Sequence, residues 1–378
     1  MSASLSIFTL RISYSLQLFI VFLLTLQTPL SAQVVQPGDS MLAELDKRVE
    51  AHMSKSNIPG GLVAVVSKGE ILHLRTYGFA NVELAVPVSD STVFEIGSIS
   101  KQFVAATVML LVEKNKLALD DPIHKYLAYL PSEWLGVTIR QMLTHTSGIP
   151  DYEEIRTYDA YRFRLTPEEV IRIAHSRPMD FAPGTGRYYS NTGYFLLSMI
   201  VEQVEGEPLG QILQKRIFKP LQMTQTRFAD PEAIIPHRAS GYWVNKVNQL
   251  INRQATETSS TLGAGGLLSS VYDLAKWDAA LHGDKFLSEK SKTEMWTPAI
   301  LPDGKNTEYG FGWRVAPYKG LKSQSHSGQV AGFVAYFSRF PEQEIAIIIF
   351  LNRYRVRANP IKDAVAHTFM PSLGPLPE

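Results

Sequence analysis

The stretch Glu95-Ile-Gly-Ser-Ile-Ser-Lys-Gln-Phe103 places two serines and a lysine directly ahead of an apolar run, Phe103-Val-Ala-Ala-Thr-Val-Met-Leu-Leu111. The run is apolar nearly all round, as a helix buried in a large protein is. Ser98 is expected at the start of that helix, with Lys101 three residues on and therefore on the same face. A serine hydroxyl is too weak an acid to attack a carbonyl at neutral pH without a base. A lysine within hydrogen-bond reach can serve, provided desolvation lowers its pKa and leaves it neutral. The helix N-terminus would add N–H donors and partial positive charge beside a developing oxyanion. Serine is also a preferred helix cap, so this stretch alone allows either a cap or a nucleophile.

The rest of the chain narrows the choice. Its 378 residues, 45% of them apolar, suffice for one large domain or two ordinary ones. Lys plus Arg number 37 against 36 Asp plus Glu, a formal charge of +1, so no global field recruits nucleic acid. No cysteine is present, which removes disulfides, thiolate catalysis and cysteine-based metal sites. Near the N-terminus Arg11 precedes the apolar run Leu16–Leu26, followed by Pro29 and Ser31-Ala32. This pattern predicts a signal peptide over residues 1–32, cut after Ala32, or else an uncleaved anchor. On the first reading the protein is periplasmic or secreted, with no stable membrane span after cleavage.

Helical spacing over Met41–Met53 predicts an amphipathic helix, and "GLVAVVS" and "ILHLRTYGF", separated by Lys68-Gly69-Glu70, predict a hairpin. From about 117 to 252 the pattern turns helical, with "TIRQMLTH", "TPEEVIRIAHS" and "NTGYFLLSMIVEQVEG" the clearest segments. Thr166, Pro167 and Glu168-Glu169 form a helix-start signature. After "GAGGLLSS" and the helical "SVYDLAKWDAALHG", strand patterns return in "YGFGWRVAPY", "QVAGFVAYFSRFP" and "EIAIIIFLN", and "PIKDAVAHTFM" closes as a helix. The expected α/β (α+β) domain, 33–378, has a sheet subdomain from about 41–116 and 253–370 and a helical insert over about 117–252.

Two downstream elements bear on Ser98: Tyr189-Ser190-Asn191 in "GRYYSNTGY", and His326-Ser327-Gly328 just ahead of a strand. With these three elements in this order, the chain resembles the penicillin-recognising serine hydrolases, in the branch of class C beta-lactamases, DD-carboxypeptidases, D-aminopeptidases and related esterases. The resemblance spans about Leu42 to Phe369 and includes "LALDDPIHKYL", "IRQMLTHTSGIPDY" and "YGFGWRV". It implies a beta-lactamase/transpeptidase-like fold, an antiparallel sheet flanked by helices with an inserted all-helical subdomain. It also implies Ser98 as acylated nucleophile, Lys101 sharing its proton, and Tyr189 as general base or relay to the leaving group. Either Lys101 or Tyr189 takes the first proton. Asn191 would donate to the acyl-side carbonyl, the N–H groups of Ser98 and Gln329 would form the oxyanion hole, and Gly328 would keep the substrate path clear. His145 is read as ordering its loop, Gly265-Gly266 as letting a loop approach the cleft, and Tyr188 as a candidate core aromatic.

Where such beta-lactamases usually carry lysine, position 326 is histidine. A half-charged or neutral hydrogen-bonding histidine there favours peptidase or esterase chemistry over broad beta-lactamase activity. Arg314 is a candidate to supply the missing charge. No Gly-x-Ser-x-Gly elbow or His-Glu-x-x-His motif occurs. The expected enzyme works without metal or cofactor on small molecules or peptides, such as peptidoglycan fragments or beta-lactams. A non-turnover penicillin sensor is the binding-only alternative.

Overall fold

The computed structural model describes residues 34–156, 162–254, 256–257 and 260–374, so the expected signal segment and part of the loop after Tyr152 lie outside the described residues. Helix α1 (Asp39–Lys55) precedes β1 (Gly60–Ser67), β2 (Glu70–Asn81), β3 (Val86–Pro87), β4 (Phe94–Glu95) and α2 (Ser100–Glu113). Helices α3 (Ile139–Leu143), α4 (Tyr152–Arg156), α5 (Pro167–His175), α6 (Asn191–Glu205) and α7 (Leu209–Leu213) follow. Short strands β5 (Arg227–Phe228), β6 (Tyr242–Val244), β7 (Leu250–Asn252) and β8 (Leu267–Ser269) lead to α8 (Val271–His282) and α9 (Glu289–Met295). Then come β9 (Arg314–Val315), β10 (Gln324–Val330), β11 (Phe333–Phe340), β12 (Ile345–Leu351) and α10 (Asn359–Phe369).

Both ends of the described chain build one seven-stranded antiparallel sheet, in the order β3-β2-β1-β12-β11-β10-β9. The seam is the β1–β12 pair, where Gly61 faces Leu351 and Ser67 faces Ile345. Lys68 and Gly69 both take positive φ, 48° and 92°, which closes the β1–β2 hairpin with a turn whose twist matches the strands. Every residue of β12 is buried, since helices cover both faces. Ala346, Ile348 and Phe350 point to the core shared with α2 and α8. Ile345, Ile347 and Ile349 point to a second core, under Leu45, Val49 and Met53 of α1 and Val365 and Phe369 of α10. Burying side chains of this size contributes about 2 kcal/mol each, which explains why the strand reads as a continuous apolar run rather than an alternating one. No described helix is long and apolar enough to cross a membrane.

Local sequence signals account for several element ends. Thr166 caps α5 with a full capping box: its side chain accepts from Glu169 N while Glu169 returns a bond to Thr166 N. Three expectations shift. The 117–252 region carries short strands besides its helices: β5, which pairs with β8, and β6 and β7, joined where Asn245 and Asn248, the latter at φ 60°, turn the chain into a small hairpin. "QVAGFVAYFSRFP" breaks at Ala331-Gly332, the latter at φ 85°, so Gln329 and Val330 end β10 and Phe333–Phe340 forms β11. "YGFGWRVAPY" yields only the two-residue β9. Its glycines serve packing, since a Cβ on Gly310 would stand 2.1 Å from Met295 O and one on Gly312 2.9 Å from Lys101 O.

Candidate active site

Within Thr92–Phe103, Ser98 alone is partly exposed. It sits two residues ahead of α2, in a 3-10 turn, Gly97–Ile99, that runs directly into that helix. Gly97 takes φ 52°. Ser100, the second hydroxyl of the stretch, is fully buried; its Oγ donates to Gly97 O at 2.7 Å and accepts from Leu267 N at 3.2 Å. The turn is thereby tied to β8 from behind while Ser98 faces outward.

Two glycines bring this turn against β10. A Cβ on Gly97 would lie 2.6 Å from Gln329 N, and one on Gly328 would lie 1.8 Å from Ile96 O and 3.2 Å from Ser98 N. The N–H groups of Ser98 and Gln329 are thus held close together by contacts that tolerate no side chain. Glycine at 328 thus has a packing reason besides the expected one, because a Cβ there would meet the carbonyl of the nucleophile's own turn. Gly328→Ala is expected to destabilise the fold by about 3 kcal/mol and to suppress serine labelling even in the folded fraction. Thermal denaturation and fluorophosphonate labelling check the two effects separately.

Lys101 lies behind Ser98 with no solvent exposure. Its Nζ reaches Ser98 Oγ at 3.0 Å, Asn191 Oδ1 at 2.7 Å and Ala264 O at 2.5 Å. Burial pushes its pKa down to about 7, with Glu153 and Asp151 pulling it upward. Once neutral, the amine has two hydrogens for the two obligate acceptors, Asn191 Oδ1 and Ala264 O, and its lone pair is left for the Ser98 hydroxyl. A buried amine of this kind has the lone pair that a general base needs. Ala264 O arrives because Gly263 lets its loop close on α2 and α6: a Cβ there would stand 2.2 Å from Val104 and 2.6 Å from Ser198. The approach foreseen at Gly265-Gly266 therefore turns on the preceding glycine as well.

Asn191 opens α6, but Ser190 is the cap, its Oγ accepting from Gly193 N. This frees the Asn191 amide for the site. Its Nδ2 donates to Asp151 Oδ2 at 3.0 Å, and its backbone N reaches the same oxygen at 3.2 Å. Asp151 is a buried carboxylate, its pKa raised by desolvation. It orients Asn191 and, through it, Lys101. Asp151 was not singled out from the sequence, although it stands inside the quoted "HTSGIPDY" segment.

Tyr189 presents a partly exposed ring whose hydroxyl is buried without a hydrogen-bond partner. Lys101 Nζ lies 4.8 Å from the ring centroid. Burial holds the phenol well above its ordinary pKa, Tyr309 adding to the effect and Ser98 opposing it. Its neighbour Tyr188 faces out, donating to Glu154 at 2.6 Å, so it is not the core aromatic that the sequence suggested. His326 is 6% exposed, and both ring nitrogens are engaged. Nδ1 lies 2.7 Å from Ser327 O, which only accepts, so Nδ1 carries the hydrogen and Nε2 accepts from Tyr309 OH at 2.8 Å. Burial, with Lys101 adding to it, pushes the His326 pKa down to about 3. Of the two states expected for His326, half-charged or neutral, this favours the neutral one, with its ring hydrogen already committed to Ser327 O. Its partner Tyr309, in "YGFGW", carried no local signal of its own.

Of these residues, Tyr189, Tyr309, His326, Gly328 and Gln329 line an open cleft of about 460 Å³. Tyr189, His326, Gly328 and Gln329 line one side, and Arg187, Arg314 and Arg357 bring three guanidiniums to it. Arg314 is exposed and paired with Glu308 at 2.7 Å, whereas Arg187 lies 5.1 Å above the Tyr309 ring.

The Beta-lactamase family profile matches residues 45–368. Penicillin-binding protein 4* of Bacillus subtilis (strain 168) is 32% identical over 311 residues, covering 78% of this chain and 68% of its own. The D-aminopeptidase of Gluconobacter oxydans (strain 621H) is 26% identical over 318 residues, 83% of this chain and 60% of that protein. In structure, the D-amino acid amidase of Ochrobactrum anthropi SV3, complexed with L-phenylalanine amide, superposes with a TM-score of 0.76 at 26% identity, over 88% of this chain and 99% of its own. A match along nearly the whole described sheet and its helices makes this chain a member of the beta-lactamase family, the penicillin-recognising serine hydrolases.

Proposed function

We propose that the chain hydrolyses amide or ester bonds of D-amino-acid peptides or small esters through an acyl-enzyme on Ser98. The observation that carries this reading is the buried Lys101 amine, held by Asn191 and Ala264 with Ser98 Oγ at 3.0 Å. Lys101 takes the hydroxyl proton as Ser98 attacks the carbonyl carbon. The N–H groups of Ser98 and Gln329 receive the oxyanion. Tyr189, kept protonated by its burial, gives its proton to the departing amine or alcohol and takes one back from the Lys101 ammonium, which returns the lysine to its neutral form. Asn191 Nδ2, with one hydrogen on Asp151, turns the other to the acyl-side carbonyl. Water then adds to the acyl carbonyl as neutral Lys101 takes its proton, and that proton passes to Ser98 Oγ as the ester bond breaks and the acid leaves.

Relatives named as a D-aminopeptidase and a D-amino acid amidase support the substrate class. A neutral His326 supports peptide or ester turnover over efficient beta-lactam turnover, since it offers no permanent charge to a beta-lactam carboxylate. The three arginines of the cleft favour substrates with a free carboxylate. Relatives named as penicillin-binding proteins support beta-lactams as acylating agents. The N-terminal apolar segment supports a periplasmic or secreted location, where peptidoglycan fragments are at hand.

The test combines labelling with turnover. After incubation with a fluorophosphonate or a fluorescent penicillin, mass spectrometry is expected to find the adduct on the peptide containing Ser98. Nitrophenyl esters and acyl-D-Ala-D-Ala are expected to turn over at least about tenfold faster than nitrocefin, and the peptide with a free carboxylate about tenfold faster than its amide. An adduct on another residue overturns the mechanism. A long-lived adduct without turnover of any substrate identifies a sensor instead.

A further inference from the structure

We infer that His145 is the positioning residue for Tyr189, and that it works through the backbone on either side of the tyrosine. The inference rests on the proposed role of Tyr189 as proton donor to the leaving group. His145 follows α3 with φ 59°, a left-handed conformation uncommon for a residue with a side chain. In that conformation its carbonyl accepts from Tyr188 N at 3.1 Å, while its ring Nδ1 accepts from Ser190 N at 3.1 Å. The two peptide N–H groups flanking Tyr189 are thus both held by one residue. The imidazole also lies against the phenol ring, with centroids 4.3 Å apart and planes at 38°. Its other ring neighbours are Tyr194 at 5.2 Å and Tyr309 at 4.7 Å.

This grip matters because the Tyr189 hydroxyl has no hydrogen-bond partner of its own. Its place beside Ser98 and Lys101 follows from where its backbone is pinned and what its ring rests on, and His145 supplies both. The Ser190 N–H bond also fixes the imidazole's state: Nδ1 must be bare, so the ring is neutral with its hydrogen on Nε2. A side chain with an acceptor one atom beyond Cγ, tolerant of positive φ, can keep the backbone half of the grip. Asparagine meets both conditions.

His145→Ala, His145→Asn and Tyr189→Phe are compared on a nitrophenyl ester and on an alkyl ester of the same acid. The nitrophenolate leaves without protonation, whereas the alkoxide needs the tyrosine's proton. His145→Ala is expected to lose about 100-fold in kcat on the alkyl ester but only about tenfold or less on the nitrophenyl ester, with KM changed by less than about threefold. His145→Asn is expected to recover most of the alkyl-ester loss. Circular dichroism and thermal melting confirm that the folded fractions are compared. Equal losses on the two esters in His145→Ala, with Tyr189→Phe still discriminating between them, overturn the positioning role. If Tyr189→Phe itself shows no leaving-group dependence, the proposed role of Tyr189 fails instead.

Discussion

Ser98→Ala is expected to abolish adduct formation with fluorophosphonates and penicillins, and to lower hydrolysis of every substrate by about 10⁴-fold or more. The loss follows from the chemistry: without Oγ no acyl-enzyme forms, and the oxyanion N–H groups can only assist direct attack by water. The fold is expected to survive, because the Ser98 side chain is partly exposed and its hydrogen bond is with Lys101, which Asn191 and Ala264 also hold. The contrast with Ser100, two residues on, sharpens the experiment. Ser100 Oγ bridges Gly97 O and Leu267 N in a fully buried place. Ser100→Ala is therefore expected to cost about 1–3 kcal/mol of stability while the folded protein still labels at Ser98. Labelling that persists in Ser98→Ala, or vanishes from a well-folded Ser100→Ala, would reverse the assignment of the two hydroxyls.

That pair of serines also shows how much the sequence alone discloses. Their helix-ward position and the lysine on the same face are local properties, set by spacing, and the structure places Lys101 on Ser98 as the spacing implies. Apolar continuity likewise discloses β1 and β12, because a strand buried on both faces has no polar side to alternate. The capping box at Thr166 is equally legible, being a four-residue signal. What stays hidden depends on contacts between distant segments. Gly328 is recognisable as a glycine near a strand, but only the packing of β10 on Ile96 reveals why no side chain fits.

Charge states are the clearest case. Histidine at 326 suggests a titrating group, yet enclosure by Tyr309 and the Ser327 carbonyl leaves it neutral. Tyr309 stands 17 residues from His326, and Asp151 stands 40 residues from the Asn191 amide it orients. Neither partner has a local pattern that marks it. The neighbours Tyr188 and Tyr189 differ only in which side of the backbone they occupy, one donating to Glu154 at the surface and one resting on His145. Periodicity assigns faces within regular elements, and this dipeptide precedes α6 rather than belonging to it.

The rate–pH profile is the measurement most sensitive to which group takes the serine's proton. Lys101 is active as a base only when neutral, and its pKa is pushed down to about 7. The profile of kcat/KM is therefore expected to rise through pH 7 with the loss of one proton and to level off above about pH 8. Neither neighbouring histidine nor the Tyr189 phenol supplies this limb. His326 is already neutral, with a pKa pushed down to about 3, and burial also holds His145 well below the usual histidine range. Asp151 is raised by burial from the ordinary carboxylate range, and the Tyr189 phenol is held well above its own. If Tyr189 were the first base, activity would instead climb through the alkaline range as the phenolate formed. Lys101→Ala is expected to lower kcat by about 10³-fold or more and to remove the limb near pH 7. Lys101→Arg should fare no better, because a guanidinium keeps its proton throughout this range. A limb near pH 7 that persists in Lys101→Ala would assign the titration to another group. A profile still rising at pH 10 in the unmodified protein would move the first proton from the lysine to the tyrosine.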